Sequence, residues 1–128
     1  MRLILVRHAH SDPGTPDELR PLSARGREQA RALAERLAHE RPDLVLASPL
    51  LRARETAAAI AKAAGAELQI DERLAPGAVA DDVLAAVADA GETVVTVGHQ
   101  PDCSEIAVAL GGGEREFAPA AFAALELP

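Results

Sequence analysis

The sequence predicts an α/β fold, because short aliphatic runs alternate along it with stretches of helical period, as they do when helices layer onto a largely parallel sheet. A second observation agrees with the first. Three groups of unusual side chains, Arg7-His8, Ser48 to Arg52 and His99, each follow one of the aliphatic runs. In parallel sheets ligands bind beyond the carboxyl ends of the strands, so this placement already points to a site.

Arg2 to Arg7 is short, aliphatic and unbroken, as a strand buried on both faces must be. The stretch from His10 to Pro21 is irregular and rich in Pro, Asp and Gly. Ser23 is placed to cap a helix running to about His39, with Ala30, Leu33, Ala34 and Leu37 on one face, and Pro42 ends it. Leu44 to Ala47 reads as a second buried strand. Ser48-Pro49 then has the form of an N-cap followed by proline at the first helical position, opening a helix to about Ala64 that Gly65 stops. Glu67 to Ile70 is a third, weaker strand. Asp81 can cap a helix through roughly Ala90, closed by Gly91. Thr93 to Val97, rich in β-branched residues, is the clearest strand of all. A short helix from about Asp102 to Leu110 follows, and Phe122 to Leu127 can supply a last edge strand. At 128 residues, with no internal repeat or linker composition, the chain is expected to form one domain, residues 1–128.

Composition narrows the function. Of the 128 residues, 29 are alanine and only Phe117 and Phe122 are aromatic, so a thin, tight core is expected, and the chain has almost nothing with which to recognise a ligand by aromatic stacking. The formal net charge of −7 argues against nonspecific nucleic-acid binding and against an anionic membrane surface. Cys103 is the only cysteine, which rules out an internal disulfide and a thiolate metal cluster. The run Leu3 to Val6 is far too short for a signal-peptide core or a membrane span, and the expected location is cytoplasmic.

The candidate site residues carry more specific chemistry. Arg7 ends an apolar strand with no carboxylate nearby in sequence before Asp12, and a buried guanidinium without an anion is costly. Arg52 falls in the first turn or so of a helix, where the dipole disfavours a cation. A bound phosphate resolves that conflict, accepting both backbone N–H groups and the guanidinium; pairing with Glu55 or Glu105 is the ordinary alternative. His99 follows Gly98, which lets the chain turn sharply near a ligand. Either histidine alone would be an ordinary structural residue. Two histidines and two arginines converging at strand ends instead fit phosphoryl transfer, with His8 as an in-line nucleophile and the arginines holding the nonbridging oxygens. No metal-ligand spacing is present, and the arginines can supply the positive charge.

At this point the residues match a family. Arg7-His8-Ala9, the run Ser48-Pro49-Leu50-Leu51-Arg52-Ala53-Arg54-Glu55-Thr56-Ala57, and Val97-Gly98-His99 resemble the histidine phosphatase superfamily, also called phosphoglycerate mutase-like. Within it, the short chain, Arg20-Pro21-Leu22-Ser23 and Gly98-His99-Gln100-Pro101 look most like SixA-type phosphohistidine phosphatases. The resemblance covers nearly the whole chain. It implies a three-layer α/β/α sandwich of minimal size with a mostly parallel central sheet, and neither metal nor organic cofactor. It also implies roles: His8 as nucleophile, Arg7 and Arg52 as phosphate ligands, His99 binding phosphate and steadying the transferred group, and Ser11 facing the same pocket.

Two departures from the family pattern bear on substrate. Ala9 stands where the family usually has glycine, and its methyl could narrow the pocket floor. Larger members carry a glutamate that protonates the leaving oxygen, but the corresponding run here is Leu74-Ala75-Pro76-Gly77, and Gln100 stands where other members have an aspartate. An alkoxide leaving group gains roughly 10²–10⁴-fold from such an acid. Imidazole needs it less, so the gap favours phosphohistidine in a protein over a sugar phosphate. Asp12, Glu72, Asp81 or Asp82 could still supply an acid from a loop. With few residues free to cover the pocket, an open mouth is expected, suited to a phosphorylated side chain. The alternatives are a phosphomonoesterase acting on a small sugar or nucleotide phosphate, and a non-catalytic phosphate-binding module. His10 reads as a solvated loop residue, His39 as a helix-end cation, Gly111 to Gly113 as a turn, and Cys103 as a small hydrophobe.

Overall fold

The computed structural model describes residues 1–128. Five strands form one sheet: β1 (Arg2–Arg7), β2 (Leu44–Ala47), β3 (Glu67–Ile70), β4 (Thr93–Gly98) and β5 (Phe122–Glu126), in the order β3-β2-β4-β1-β5. The pairs β1–β4, β2–β4 and β2–β3 are parallel, and β5 adds to the edge antiparallel to β1. Four helices complete the layers: α1 (Ala24–Ala38), α2 (Leu51–Ala64), α3 (Ala80–Val87) and α4 (Asp102–Ala109).

The alternation of strand side chains sorts the core into two faces. Leu3, Leu5, Leu44, Leu46 and Val94 pack with Val83 and Val87 of α3 and Ile106 of α4. Ile4, Val6, Val45, Ala47, Val95 and Val97 pack with Leu33 and Leu37 of α1 and Ala53, Ala57 and Ile60 of α2. The central strands β1, β2 and β4 are buried at every interior position because both faces are covered, and those positions are aliphatic except Thr96 of β4. The result is the three-layer α/β/α sandwich. Cys103 is buried in the first of these clusters, and burial pushes its thiol up to about 12.

Three boundaries differ from the sequence reading, each for a local reason. Helix α2 begins at Leu51 with Leu50 as its N-cap residue, not at Ser48-Pro49; the Ser48 hydroxyl accepts the Leu50 N–H just ahead of the helix and is shared with His99. Helix α3 begins after Val79 and not after Asp81; the Asp82 carboxylate accepts the Val79 N–H and does the capping from inside the first turn. That helix also stops at Val87, short of Ala90, and the chain turns through Asp89 at φ 59° and Gly91 at φ 134°. Gly91 cannot be otherwise, since a Cβ there would stand 2.7 Å from the Asp43 side chain.

Candidate active site

Register brings the three residue groups together. Gly98 pairs with Arg7, and Ala47 pairs with Val97, so β1, β4 and β2 end side by side. Backbone bonds carry this alignment one residue further, from His8 N–H to the Gly98 carbonyl and from Ser48 N–H to the Val97 carbonyl, both 3.0 Å. His8, His99 and Ser48 therefore stand in a row across three neighbouring strands. The two imidazole centroids lie 5.3 Å apart with their planes at 58°.

Each ring is held differently. The His8 Nδ1 lies 2.7 Å from the Ala9 carbonyl oxygen, an acceptor, so Nδ1 carries the proton and the Nε2 lone pair is left free. Burial pushes the pKa of His8 down to about 4, against the pull of the Ala9 carbonyl, and the positive charges of Arg52, Arg7 and Arg20 push the same way. His99 is also lowered to about 4, first by burial and then by His8 and Arg52. Its Nε2 lies 2.7 Å from Ser48 Oγ, and its Nδ1 is buried with no partner.

The cations surround this pair. Arg7 donates from Nη1 to the Phe117 carbonyl at 2.9 Å, while its Nε is buried without a partner. Arg52, only 7% exposed, is paired neither with Glu55 nor with Glu105. Its Nη1 donates to the Asp17 carbonyl and its Nη2 to the Asp17 carboxylate, while Glu55 accepts the Leu22 N–H. Asp17 sits on a short 3₁₀ turn, Asp17–Leu19, within the irregular stretch after β1. That stretch lies over the site as a strap, so the mouth is more covered than expected, and His8, Ser11, Arg52 and His99 all count as buried.

Ser11 is placed at the same site, but its hydroxyl accepts a bond from Arg20 Nη2 at 2.9 Å. Arg20 is the residue the sequence reading missed. It donates also to the Asp12 carbonyl and the Asp17 carboxylate, so it stitches the strap and adds a third guanidinium near His8. Its signal was present in the Arg20-Pro21-Leu22-Ser23 run, which marked a resemblance without marking a role. Thr56 lies in the second of the family-like runs, Ser48 to Ala57. Its buried hydroxyl donates to the Arg52 carbonyl at 2.8 Å and accepts the Ala9 N–H at 3.0 Å, linking α2 to the histidine loop.

Other expectations resolve just as concretely. The Ala9 methyl is fully buried in a small cluster with Leu22 and Ala30, so it packs inward under the strap. His10 is not a solvated loop residue: its Nδ1 lies 2.7 Å from Ser23 Oγ, and its N–H donates to Gln29. Of the loop carboxylates, Asp82 is committed to α3, while Asp12, Glu72 and Asp81 are exposed. The carboxylate set against the site is Asp17, held below the usual carboxylate range by its bonds to Arg20 and Arg52. The Leu74–Gly77 run comes close to the Gly98 backbone, and the Gly77 N–H donates to the buried Asp102 carboxylate. Nowhere do three or more His, Cys, Asp or Glu side chains converge as a metal site would need. No helix is long and apolar enough to cross a membrane.

Buried cationic and neutral donors around a free imidazole lone pair, at the carboxyl edge of a parallel sheet, define an α/β protein built to handle a phosphoryl group. Residues 3–77 match the model of the histidine phosphatase superfamily (branch 1). The chain belongs to that superfamily, a family of phosphatases. A glucosyl-3-phosphoglycerate phosphatase from Mycolicibacterium vanbaalenii is 38% identical over 78 residues, which is 57% of this chain and 35% of that protein. The match thus spans about a third of that relative's length. Among solved structures, a protein assigned as phosphohistidine phosphatase SixA from Nakamurella multipartitia is 29% identical, with a TM-score of 0.83 over 96% of this chain and 82% of its own. The protein histidine phosphatase SixA complexed with tungstate superposes with a TM-score of 0.84 over 97% of this chain and 86% of its own; at 22% identity it shows the fold alone.

Proposed function

We propose that the protein is a metal-independent phosphatase that works through a covalent phosphohistidine at His8, and that its substrate is phosphohistidine in a protein. The observation that carries the reading is the His8 ring: Nδ1–H bonded to the Ala9 carbonyl, Nε2 free, and the imidazole kept neutral by burial among guanidiniums. A neutral nitrogen with its lone pair exposed to a cationic pocket is the state a phosphorus nucleophile needs.

In this reading Nε2 attacks phosphorus in line, a P–Nε2 bond forms, and the bond to the leaving group breaks. Arg7, Arg52 and His99 hold the three nonbridging oxygens, with Ser11 and Arg20 behind them. The leaving imidazole takes a proton from water. Water then attacks the phosphorus and gives its proton to the hydroxide left by the first step, the P–Nε2 bond breaks with its electron pair returning to Nε2, inorganic phosphate departs, and His8 returns to its neutral form. The strap is displaced from Arg52 when phosphate enters, because the Asp17 carboxylate holds the positions on that guanidinium that a phosphoryl oxygen would take.

Leaving-group chemistry supports the phosphoramidate. The Leu74–Gly77 run offers no carboxylate, Gln100 is bonded to Ser104, and Asp17 is ionised by its two arginines, so a proton donor for an alkoxide is lacking. The second reading is a small phosphate ester, favoured by the relative named for glucosyl-3-phosphoglycerate. The deciding experiment is phosphate release in EDTA from a phosphohistidine-bearing protein and from p-nitrophenyl phosphate, for the wild type and His8→Ala. Preference for the phosphoramidate, abolished in His8→Ala, supports the first reading. Preference for the ester moves the second ahead. If neither is hydrolysed while phosphate still binds, the protein is a binding module.

A further inference from the structure

His99 has one ring nitrogen engaged and one buried without any partner, and its neighbour Ser48 is fully buried. The hydroxyl of Ser48 has two contacts. The Leu50 N–H donates to Oγ at 3.2 Å, and His99 Nε2 lies 2.7 Å away. With Leu50 already supplying a donor, the hydroxyl still has its own hydrogen to place, and His99 Nε2 is the acceptor within reach. If Nε2 donated instead, Ser48 would accept twice and leave its own O–H buried and unused, at the cost of an unmade bond. The satisfied arrangement therefore has Ser48 O–H donating to Nε2, which leaves the ring proton on Nδ1.

We propose that Ser48 is a positioning residue that holds His99 in its Nδ1–H form, so that the second imidazole offers an N–H donor to a phosphoryl oxygen while His8 offers a lone pair. This rests on the reading that phosphate enters beside both rings. Free neutral imidazole side chains prefer the opposite, Nε2–H tautomer, so a partner that gives a proton to Nε2 is needed to reverse the preference. The unpartnered Nδ1 is then accounted for: no protein atom accepts from it because the acceptor is the substrate. Two rings 5.3 Å apart come to play opposite parts through their backing partners, a carbonyl acceptor behind His8 and a hydroxyl donor behind His99. Ser48 thus serves both sides at once, accepting the Leu50 N–H just ahead of α2 and backing the histidine.

The test is a long-range ¹H–¹⁵N correlation spectrum of the uniformly ¹⁵N-labelled full chain. It contains only four histidines, and the His99 signals are assigned by their loss in His99→Gln. The expected result is a protonated Nδ1 and an unprotonated Nε2 for His99 in the wild type, with the Nδ1 signal shifting on addition of inorganic phosphate. In Ser48→Ala the ring should revert to a mixture dominated by Nε2–H, and turnover should fall by about tenfold, the worth of one lost buried hydrogen bond. A wild-type His99 protonated at Nε2, a tautomer unchanged in Ser48→Ala, or an Nδ1 indifferent to phosphate would each overturn the proposal. Should Ser48→Ala fail to fold, the wild-type spectrum decides alone. The spectrum is independent of turnover: an Nδ1–H His99 in a protein that hydrolyses nothing would leave this inference standing and remove the phosphatase reading.

Discussion

Replacing Thr56 by valine removes one oxygen from the hinge between the two halves of the site. The side chain is fully buried, its Oγ1 accepts the Ala9 N–H at 3.0 Å and donates to the Arg52 carbonyl at 2.8 Å, and valine reproduces its shape. The carbonyl of Arg52 has a second lone pair for the helix, but the Ala9 N–H would be left unpaired in a dry environment. Such a group costs on the order of 2 kcal/mol, within the 1–3 kcal/mol range for a buried unsatisfied donor. For a chain of this length each kcal/mol lowers the melting temperature by roughly 3–5 °C, so Thr56→Val should melt ~6–10 °C below the wild type. Thr56→Ser, which keeps the oxygen and loses a methyl, should fall by about half as much or less. Because the Ala9 carbonyl orients His8, Thr56→Val should also lose activity beyond what its stability explains at 25 °C. Thermal melts by circular dichroism, paired with urea titrations to confirm an unchanged m-value, read the result. If valine proves as stable as serine, the bond to Ala9 carries no weight and the link drawn between α2 and the histidine loop is wrong.

Three further outcomes are expected of the same structure. His8 and His99 are both held near 4 against 6.5 unfolded, so the folded state binds fewer protons between about pH 4 and pH 6.5. Stability should therefore rise with pH across that window and decline on acidification from 6.5 towards 4; denaturant midpoints flat over the whole interval would contradict the assigned burial. Gly26→Ala would place a Cβ 1.8 Å from the His10 carbonyl oxygen, a backbone atom that cannot step aside. A loss of ~3 kcal/mol with reduced activity is expected, and a melt matching the wild type would show that the strap does not pack on α1 as described. Asp17→Ala frees Arg52 of its anionic partner, whose side chain is 60% exposed, so inorganic phosphate should inhibit two- to five-fold more tightly, about the worth of one exposed ion pair. Inhibition constants from a turnover assay decide this, and weaker inhibition in the variant would make Asp17 a contributor to phosphate binding.

The strands and their order along the chain were legible in the sequence because burial on both faces leaves a local record. Leu3 to Val6 and Leu44 to Ala47 are aliphatic at successive positions, Thr93 to Val97 is rich in β-branched residues, and the structure places strands over all three. His8, Arg52 and His99 were legible as a set for the same reason: each follows a strand, and a parallel sheet gathers such ends. Helix starts were less legible. A serine before a proline reads as a cap, and only the structure shows that its hydroxyl, besides accepting the Leu50 N–H, is held by the His99 ring at 2.7 Å.

What the sequence by itself determined, then, is the alternation of elements and the carrying of imidazoles and guanidiniums to one edge of the sheet. These depend on periodicity and composition within a few residues of each position. The tertiary structure alone decided the partners: Asp17 on Arg52 across 35 residues, Thr56 on Ala9 across 47, and Ser48 on His99 across 51. A hydrogen bond depends on ångström-scale placement and on which donor is already satisfied. Both are settled when the strap folds over the sheet edge and three strands align in register, so no local pattern in the chain can announce them.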